Sequence, residues 1–217
     1  MKKGLTELVF VLDRSGSMGG LESDTIGGFN AMLEKQKKQE GEANVTTVLF
    51  DTGCAVIHDR VPIGDIRPLS EKEYSVRGCT ALLDAMGNTV FRMKNAQKLL
   101  PKKQRAEKVI FVIITDGLEN SSRKYSFEDI SGMVQKQKKK HGWEFLFLGA
   151  NMDAVAQAAR VGIEAGRAVR YCNDKEGVAM NYRVVGETVC AMRSAPQMAD
   201  VGADWKKEIE KDYSRRG

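Results

Sequence analysis

Two uninterrupted apolar runs, Leu8-Val9-Phe10-Val11-Leu12 and Val109-Ile110-Phe111-Val112-Ile113-Ile114, constrain the fold of this chain more than any other feature. Each is short and rich in β-branched residues, and each is closed by a glycine-containing turn. Runs of this length with no polar phase read as strands buried on both faces. Such strands belong in a mostly parallel sheet covered by helices above and below. The turn after the first is Asp13-Arg14-Ser15-Gly16-Ser17; the turn after the second is Thr115-Asp116-Gly117. Both strands therefore deliver an acid to their carboxyl ends. Asp13, Ser15 and Ser17 offer oxygen at alternate positions, and small hard cations such as Mg2+ take oxygen ligands in near-octahedral geometry at about 2.0–2.1 Å. The first turn reads as half of a divalent-metal site.

The remaining segments alternate in the same style. A helix is expected from Glu22 to Gln39, with Ile26, Phe29, Met32 and Leu33 on one stripe and Gly41 as its C-cap. Val45 to Phe50 forms a second strand. Asp51-Thr52-Gly53 turns it back into 55–61, which alternates apolar and polar and so pairs antiparallel at the sheet edge, with His58 on the polar, solvent-facing phase. Pro62, Gly64 and Pro68 break the chain into a loop as far as Gly78. A helix follows over 81–99, carrying Leu82, Leu83, Met86 and Val90 on one face. After the fourth strand, Ser126-x-x-Asp129 opens a helix to Lys140 as a capping box, and Trp143 to Leu148 is a strand ended by Gly149-Ala150-Asn151. A helix over 152–160, a short strand over 168–172 and a helix over 175–193 complete the alternation. Residues 195–217 form a charged segment with Trp205. This order predicts a doubly wound, Rossmann-like α/β fold: a six-stranded, mostly parallel sheet in the order 3-2-1-4-5-6, strand 3 antiparallel at the edge, helices on both faces. In that order the first and fourth strands are neighbours and their carboxyl ends flank the topological switch point. Asp13 and Asp116 are thereby brought together.

Asp13-x-Ser15-x-Ser17, Thr80 within Arg77-Gly78-Cys79-Thr80-Ala81, and Thr115-Asp116-Gly117 resemble, in order and in context, the metal-ion-dependent adhesion site of the von Willebrand factor A-type (vWA) domain. The resemblance covers roughly residues 5–160 well and the final stretch less closely. It implies a vWA domain over 1–195, with 196–217 as a charged extension of the same unit. It also implies Asp13, Ser15, Ser17, Thr80 and Asp116 as ligands of Mg2+, with Mn2+ or Ca2+ as alternatives. In the family the hydroxyls are largely neutral direct ligands and the aspartates often act through water, so the ion keeps positive charge and takes an Asp or Glu carboxylate from a protein partner. Arg14, Gly78, Cys79, Gly117, Glu119 and Asn120 would then form the partner-contacting rim. The sequence leaves two points open. Thr80 could cap the following helix instead of ligating, and Arg14 could point outward or toward an acidic partner.

Composition narrows the function class. At 217 residues, 42% hydrophobic and 29% charged, the chain suits one soluble globular domain. No segment approaches the roughly 20 apolar residues that span a bilayer. The apolar stretch after Met1-Lys2-Lys3 is cut by Glu7 and runs into Asp13 without a small-residue cleavage site, so no export signal is expected. Cys54, Cys79, Cys172 and Cys190 are too scattered for a zinc site or a disulfide framework, which points to free thiols and a cytoplasmic location. The net charge of +5 gathers in lysines 35–38, 102–103 and 136–140. These fall at helix ends, where cations complement the dipole, and no aromatic residues interleave them for nucleic-acid stacking.

Rival classes fit less well. A haloacid-dehalogenase-like phosphatase would use Asp13 as nucleophile but needs an acid two residues on, where Ser15 stands. Gly16-x-x-Gly19-Gly20 lacks the spacing that seats a dinucleotide, and a nucleic-acid module would rest on the lysines alone. The expected function is binding through a metal, not catalysis; no small-molecule substrate, nucleic acid or membrane is expected as partner.

Overall fold

Strict alternation along the central strands decides the architecture. A computed structural model describes residues 1–150 and 152–216. In strand β1 (Lys2–Asp13), Leu8, Phe10 and Leu12 enter one core, while Val9 and Val11 enter another on the opposite face. Strand β4 (Ala106–Thr115) divides likewise, Ile110, Val112 and Ile114 against Val109, Phe111 and Ile113. A strand apolar on both faces must be covered on both. Helices α1 (Glu22–Lys37) and α5 (Lys175–Ser194) cover the first face through Phe29, Met32, Leu33, Val178, Val185 and Val189. Helices α2 (Leu82–Leu99), α3 (Phe127–His141) and α4 (Ala154–Arg160) cover the second.

The sheet contains β2 (Glu42–Phe50), β3 (Cys54–Pro62), β5 (Glu144–Ala150) and β6 (Ala168–Tyr171) beside β1 and β4, in the order β3-β2-β1-β4-β5-β6. Every neighbouring pair is parallel except β2 with β3. The fold class and strand order expected from the sequence are those observed. The pairing of Leu12 with Ile114 sets the carboxyl ends of β1 and β4 level, which places Asp13 beside Thr115 and Asp116.

Three local expectations are corrected, and the point left open at Thr80 is decided. His58 is not on the surface: it is 8% exposed, and its Nδ1 lies 3.0 Å from the Thr47 hydroxyl. Irregular register between β2 and β3, with Arg60 at φ 54°, shifts the phase of the edge strand and turns Val56 outward instead. Gly41 does not cap α1, which ends at Lys37 with Lys38 as C-cap. Gly41 adopts φ 85° in the turn that opens β2, against the Gly4 carbonyl. β1 begins six residues before its apolar run, where pairing with β2 and β4 extends a polar stretch.

Thr80, finally, does not cap α2, whose N-cap is Ala81. The first turn is capped from the loop after β4, where the Leu83 N–H donates to Glu119 Oε2 (2.8 Å) and the Asp84 N–H to Ser122 Oγ (3.0 Å). The expected capping box does form at α3, between Ser126 and Asp129. Within the expected turn Gly149-Ala150-Asn151, Asn151 lies outside the described residues, as does Gly217.

The charged segment after Ala195 ends in a helix, α6 (Lys207–Arg216), lying against β6 and α5. Trp205 Nε1 donates to the Gly166 carbonyl at 2.9 Å, and Arg216 pairs with Asp174 at 2.7 Å and with Asp212. No described helix is long and apolar enough to cross a membrane. All four cysteines are free, Cys54 and Cys79 exposed.

Candidate metal centre

The end of β1 turns under two clamps. The Tyr74 hydroxyl, from the loop before α2, donates to the Asp13 carbonyl at 2.5 Å. The carboxylate of Asp13 accepts the Ser15 N–H (2.7 Å) on Oδ1 and the Thr115 hydroxyl (2.6 Å) on Oδ2. Ser15 and Ser17 thus project from one short turn with their hydroxyl oxygens 3.1 Å apart. Thr80 Oγ1 lies 3.1 Å from Ser15 Oγ, and Ser17 Oγ donates to Asp116 Oδ1 at 2.5 Å. Three hydroxyls and two carboxylates, spaced as expected along 103 positions of chain, meet at the sheet's switch point. Asp13, Ser15, Thr80 and Asp116 are buried and Ser17 is exposed, so the cluster opens to solvent on one side.

Backbone room is part of this geometry. Gly78, at φ 68°, passes so close to Thr52 that a Cβ would stand 2.6 Å from its hydroxyl. Its carbonyl receives the Gly16 N–H at 3.2 Å, tying the Thr80 loop to the first turn. A Cβ at Gly117 would sit 2.7 Å from Thr80 Oγ1 and 3.4 Å from Ser17 Oγ, inside the ligand cluster itself.

The electrostatics of the cluster suit a cation. Burial pushes the Asp13 carboxyl up to about 6; the bonds from Thr115 and Ser15 pull it back in part, and the nearby Asp116 charge raises it further. Asp116 is raised too, by burial first, against the bonds from Ser17 and Asn173. Among the described residues no basic side chain pairs with Asp13 or Asp116. Arg14, the adjacent cation in sequence, is 5% exposed and turned away, its Nε on Asp51 at 2.9 Å and its Nη1 on the Glu73 carbonyl at 3.0 Å. Two carboxylates and three hydroxyls without a counter-charge suit a small hard cation, and the all-oxygen set disfavours softer metals that prefer thiolate. Among the described residues no group of three or more His, Cys, Asp or Glu is placed to share an ion.

The rim differs from expectation at two positions. Arg14 is buried in the pair with Asp51, which also receives Arg77 at 3.0 Å, so its side chain does not project from the rim. Burial of a charge demands such pairing, and a sequence does not say which acid will stand opposite. Glu119 is turned inward as the cap of α2, accepting also the N–H groups of Ser121 and Ser122. Asn120 is exposed, yet its Oδ1 accepts the Thr80 N–H at 2.9 Å and so holds the ligand loop. Cys79 is exposed beside Thr80, and Leu118, 54% exposed, stands next to Asp116 and Gly117.

Sequence reasoning missed Asn173, whose Nδ2 donates to Asp116 Oδ2 at 2.9 Å from the turn between β6 and α5. It also missed the roles of Tyr74 and Thr115. Thr115 lay inside a recognised motif and was legible; Asn173 and Tyr74 carried no local signal.

A six-stranded sheet in this order, with one antiparallel edge and these oxygens at its switch point, defines the chain as a vWA-type domain in fold. No protein-family model matches the sequence, and no curated protein matches it. Solved structures do. The chain is similar to proximal thread matrix protein 1 from the mussel byssus, solved with a zinc-occupied MIDAS motif (TM-score 0.58, 16% identity, 86% of this chain and 46% of that one). It is similar to a von Willebrand factor type A protein from Catenulispora acidiphila (TM-score 0.56, 14% identity, 86% and 43%). It is also similar to the manganese-loaded TRAP protein of Plasmodium vivax (TM-score 0.54, 15% identity, 83% and 73%). The chain spans less than half the length of the first two.

Proposed function

We propose that this chain is a divalent-metal-dependent protein-interaction module. Asp13, Ser15, Ser17, Thr80 and Asp116 would hold the ion, Mg2+ in the first instance with Mn2+ or Ca2+ as alternatives. The observation that carries the reading is the meeting of these five side chains around a shared space with no basic group among them. A bound ion would supply residual positive charge for an Asp or Glu carboxylate of the partner. The chain's own groups do the positioning: Tyr74, Ser15 and Thr115 fix Asp13, Asn173 fixes Asp116, and Asn120 holds the Thr80 loop. Gly78, Cys79, Gly117 and Asn120, with Leu118 as an apolar contact, form the partner-facing rim.

The module comprises residues 1–195, and 196–217 belong to the same unit through α6. It acts by binding, not turnover. Neither histidine of the chain stands beside Asp13 to serve as a base: His58 is on β3 against Thr47, and His141 ends α3. A reducing, cytoplasmic setting is supported by the free Cys54 and Cys79. The test is calorimetric titration of Mg2+ and Mn2+ into chelator-stripped protein, Asp13→Ala and Asp116→Ala, with a phosphatase assay on the same samples. Binding lost in the variant without hydrolysis is the expected result. Hydrolysis that depends on Asp13 would replace this reading with an enzyme.

A further inference from the structure

At the end of the sheet opposite the aspartates, α2 and α3 part over the start of β4 and leave a cavity of about 370 Å3. That lies at the lower end of the range for small-molecule sites, about 300–1,000 Å3. Ala106, Val109 and Trp143, all buried, give it an apolar floor. Lys94, Lys98, Arg105 and Lys140 stand in its walls. The fold explains the charge: helices in a doubly wound sheet run against the strands, so their carboxyl ends, where cations complement the dipole, gather at this pole. Lys98 is in the last turn of α2 and Lys140 in the last turn of α3. Glu107 is the one acid among the lining residues, and it already accepts the Gly4 N–H at 2.7 Å. Arg105 is fixed by the carbonyls of Leu100 and Lys98, at 2.9 and 3.1 Å.

A second observation points to an occupant. Gln137 lines the same cavity, is 3% exposed, and its Oε1 has no hydrogen-bond partner. A buried amide left unmet is costly; rotation interchanges its two ends, and a bound molecule would pair with the end turned to the cavity. Three lysines lining one cavity from two helices suit a multiply charged group better than a single carboxylate, for which a planar arginine fork is the better match.

We infer that this cavity is a binding site for a phosphorylated ligand of mononucleotide size. Lys94, Lys98 and Lys140 hold the phosphate, the base lies over the Val109 and Trp143 floor, and its polar edge pairs with the Gln137 amide. The site is independent of the metal centre and lies at the other pole of the sheet.

The test is calorimetry on the whole chain in excess EDTA, which prevents any metal-bridged phosphate at the opposite end, with AMP, GMP, CMP and UMP as probes. Saturable binding of at least one is expected, weakened at least tenfold by Lys94→Ala/Lys140→Ala and about tenfold by Gln137→Leu. Lys102→Ala/Lys103→Ala, at the same pole but outside the cavity, should change affinity less than twofold. Circular dichroism establishes that each variant is folded. The inference is overturned by any of four results: no binding of the four probes at millimolar concentration, equal binding of ribose 5-phosphate, which lacks the base, equal losses in the two lysine pairs, or binding of a single-stranded oligonucleotide in place of the mononucleotides.

Discussion

Without metal, Asp13 opposes folding, and removing its charge should stabilise the protein. The carboxyl is 1% exposed, and burial brings it to about 6 from 3.8 in an unfolded chain. The native state therefore binds this proton more tightly than the unfolded state does. Between pH 4 and 6, roughly, the native protein carries more bound protons, so the stability contributed by this group is full at low pH and is lost as pH rises through that window. At 1.36 kcal/mol for each tenfold change, the difference between 3.8 and about 6 amounts to about 3 kcal/mol at pH 7.

Asp13→Asn keeps the shape and removes the titration. The Ser15 N–H retains an acceptor at Oδ1. The Thr115 hydroxyl, which already lies 3.1 Å from the Gly117 carbonyl, can donate there and accept from the new amide. In excess EDTA at pH 7, urea unfolding should show Asp13→Asn more stable than wild type by about 1–3 kcal/mol. The gain should disappear by pH 4, and the variant should no longer bind Mn2+. A variant less stable than wild type at pH 7, or two parallel pH profiles, would refute the assignment of Asp13 as a buried charge awaiting a cation.

Asn173→Ala removes the donor to Asp116 Oδ2 and should weaken Mn2+ affinity about 10- to 100-fold, the usual effect of losing an outer-shell partner; unchanged calorimetric affinity would assign Asn173 no role. Gly117→Ala places a methyl 2.7 Å from Thr80 Oγ1, so Mn2+ binding should be lost while circular dichroism stays native. Full retention of binding would mean that Thr80 is not a ligand. Arg14→Ala leaves Asp51 with the exposed Arg77 and the Gly53 N–H and should cost about 3 kcal/mol in urea denaturation, the low end for breaking a buried pair. A loss near zero would show that solvent already screens this pair.

The apolar runs at β1 and β4 determined by themselves that the sheet is mostly parallel and covered on both faces, because a strand with no polar phase has no face to offer water. Alternation of strand and helix then narrowed the topology to doubly wound sheets with crossovers of one hand, and the vWA resemblance selected the order 3-2-1-4-5-6 among them. With that order, the convergence of Asp13 and Asp116 was legible, and the hydroxyl spacing of Ser15 and Ser17 named the chemistry. Only the tertiary structure decided what surrounds them. Whether Arg14 faces a partner or Asp51, whether Glu119 contacts the outside or caps α2, and that Asn173 and Tyr74 steady the two aspartates, depend on segments brought together from 36 to 61 positions apart. The phase of His58 failed for a related reason, since an irregular register at an edge strand changes which side chain points inward without leaving a mark in the pattern. Local sequence carries periodicity and chain direction; a long-range pair between single polar side chains has no period, and it exists only once the backbone has been closed around it.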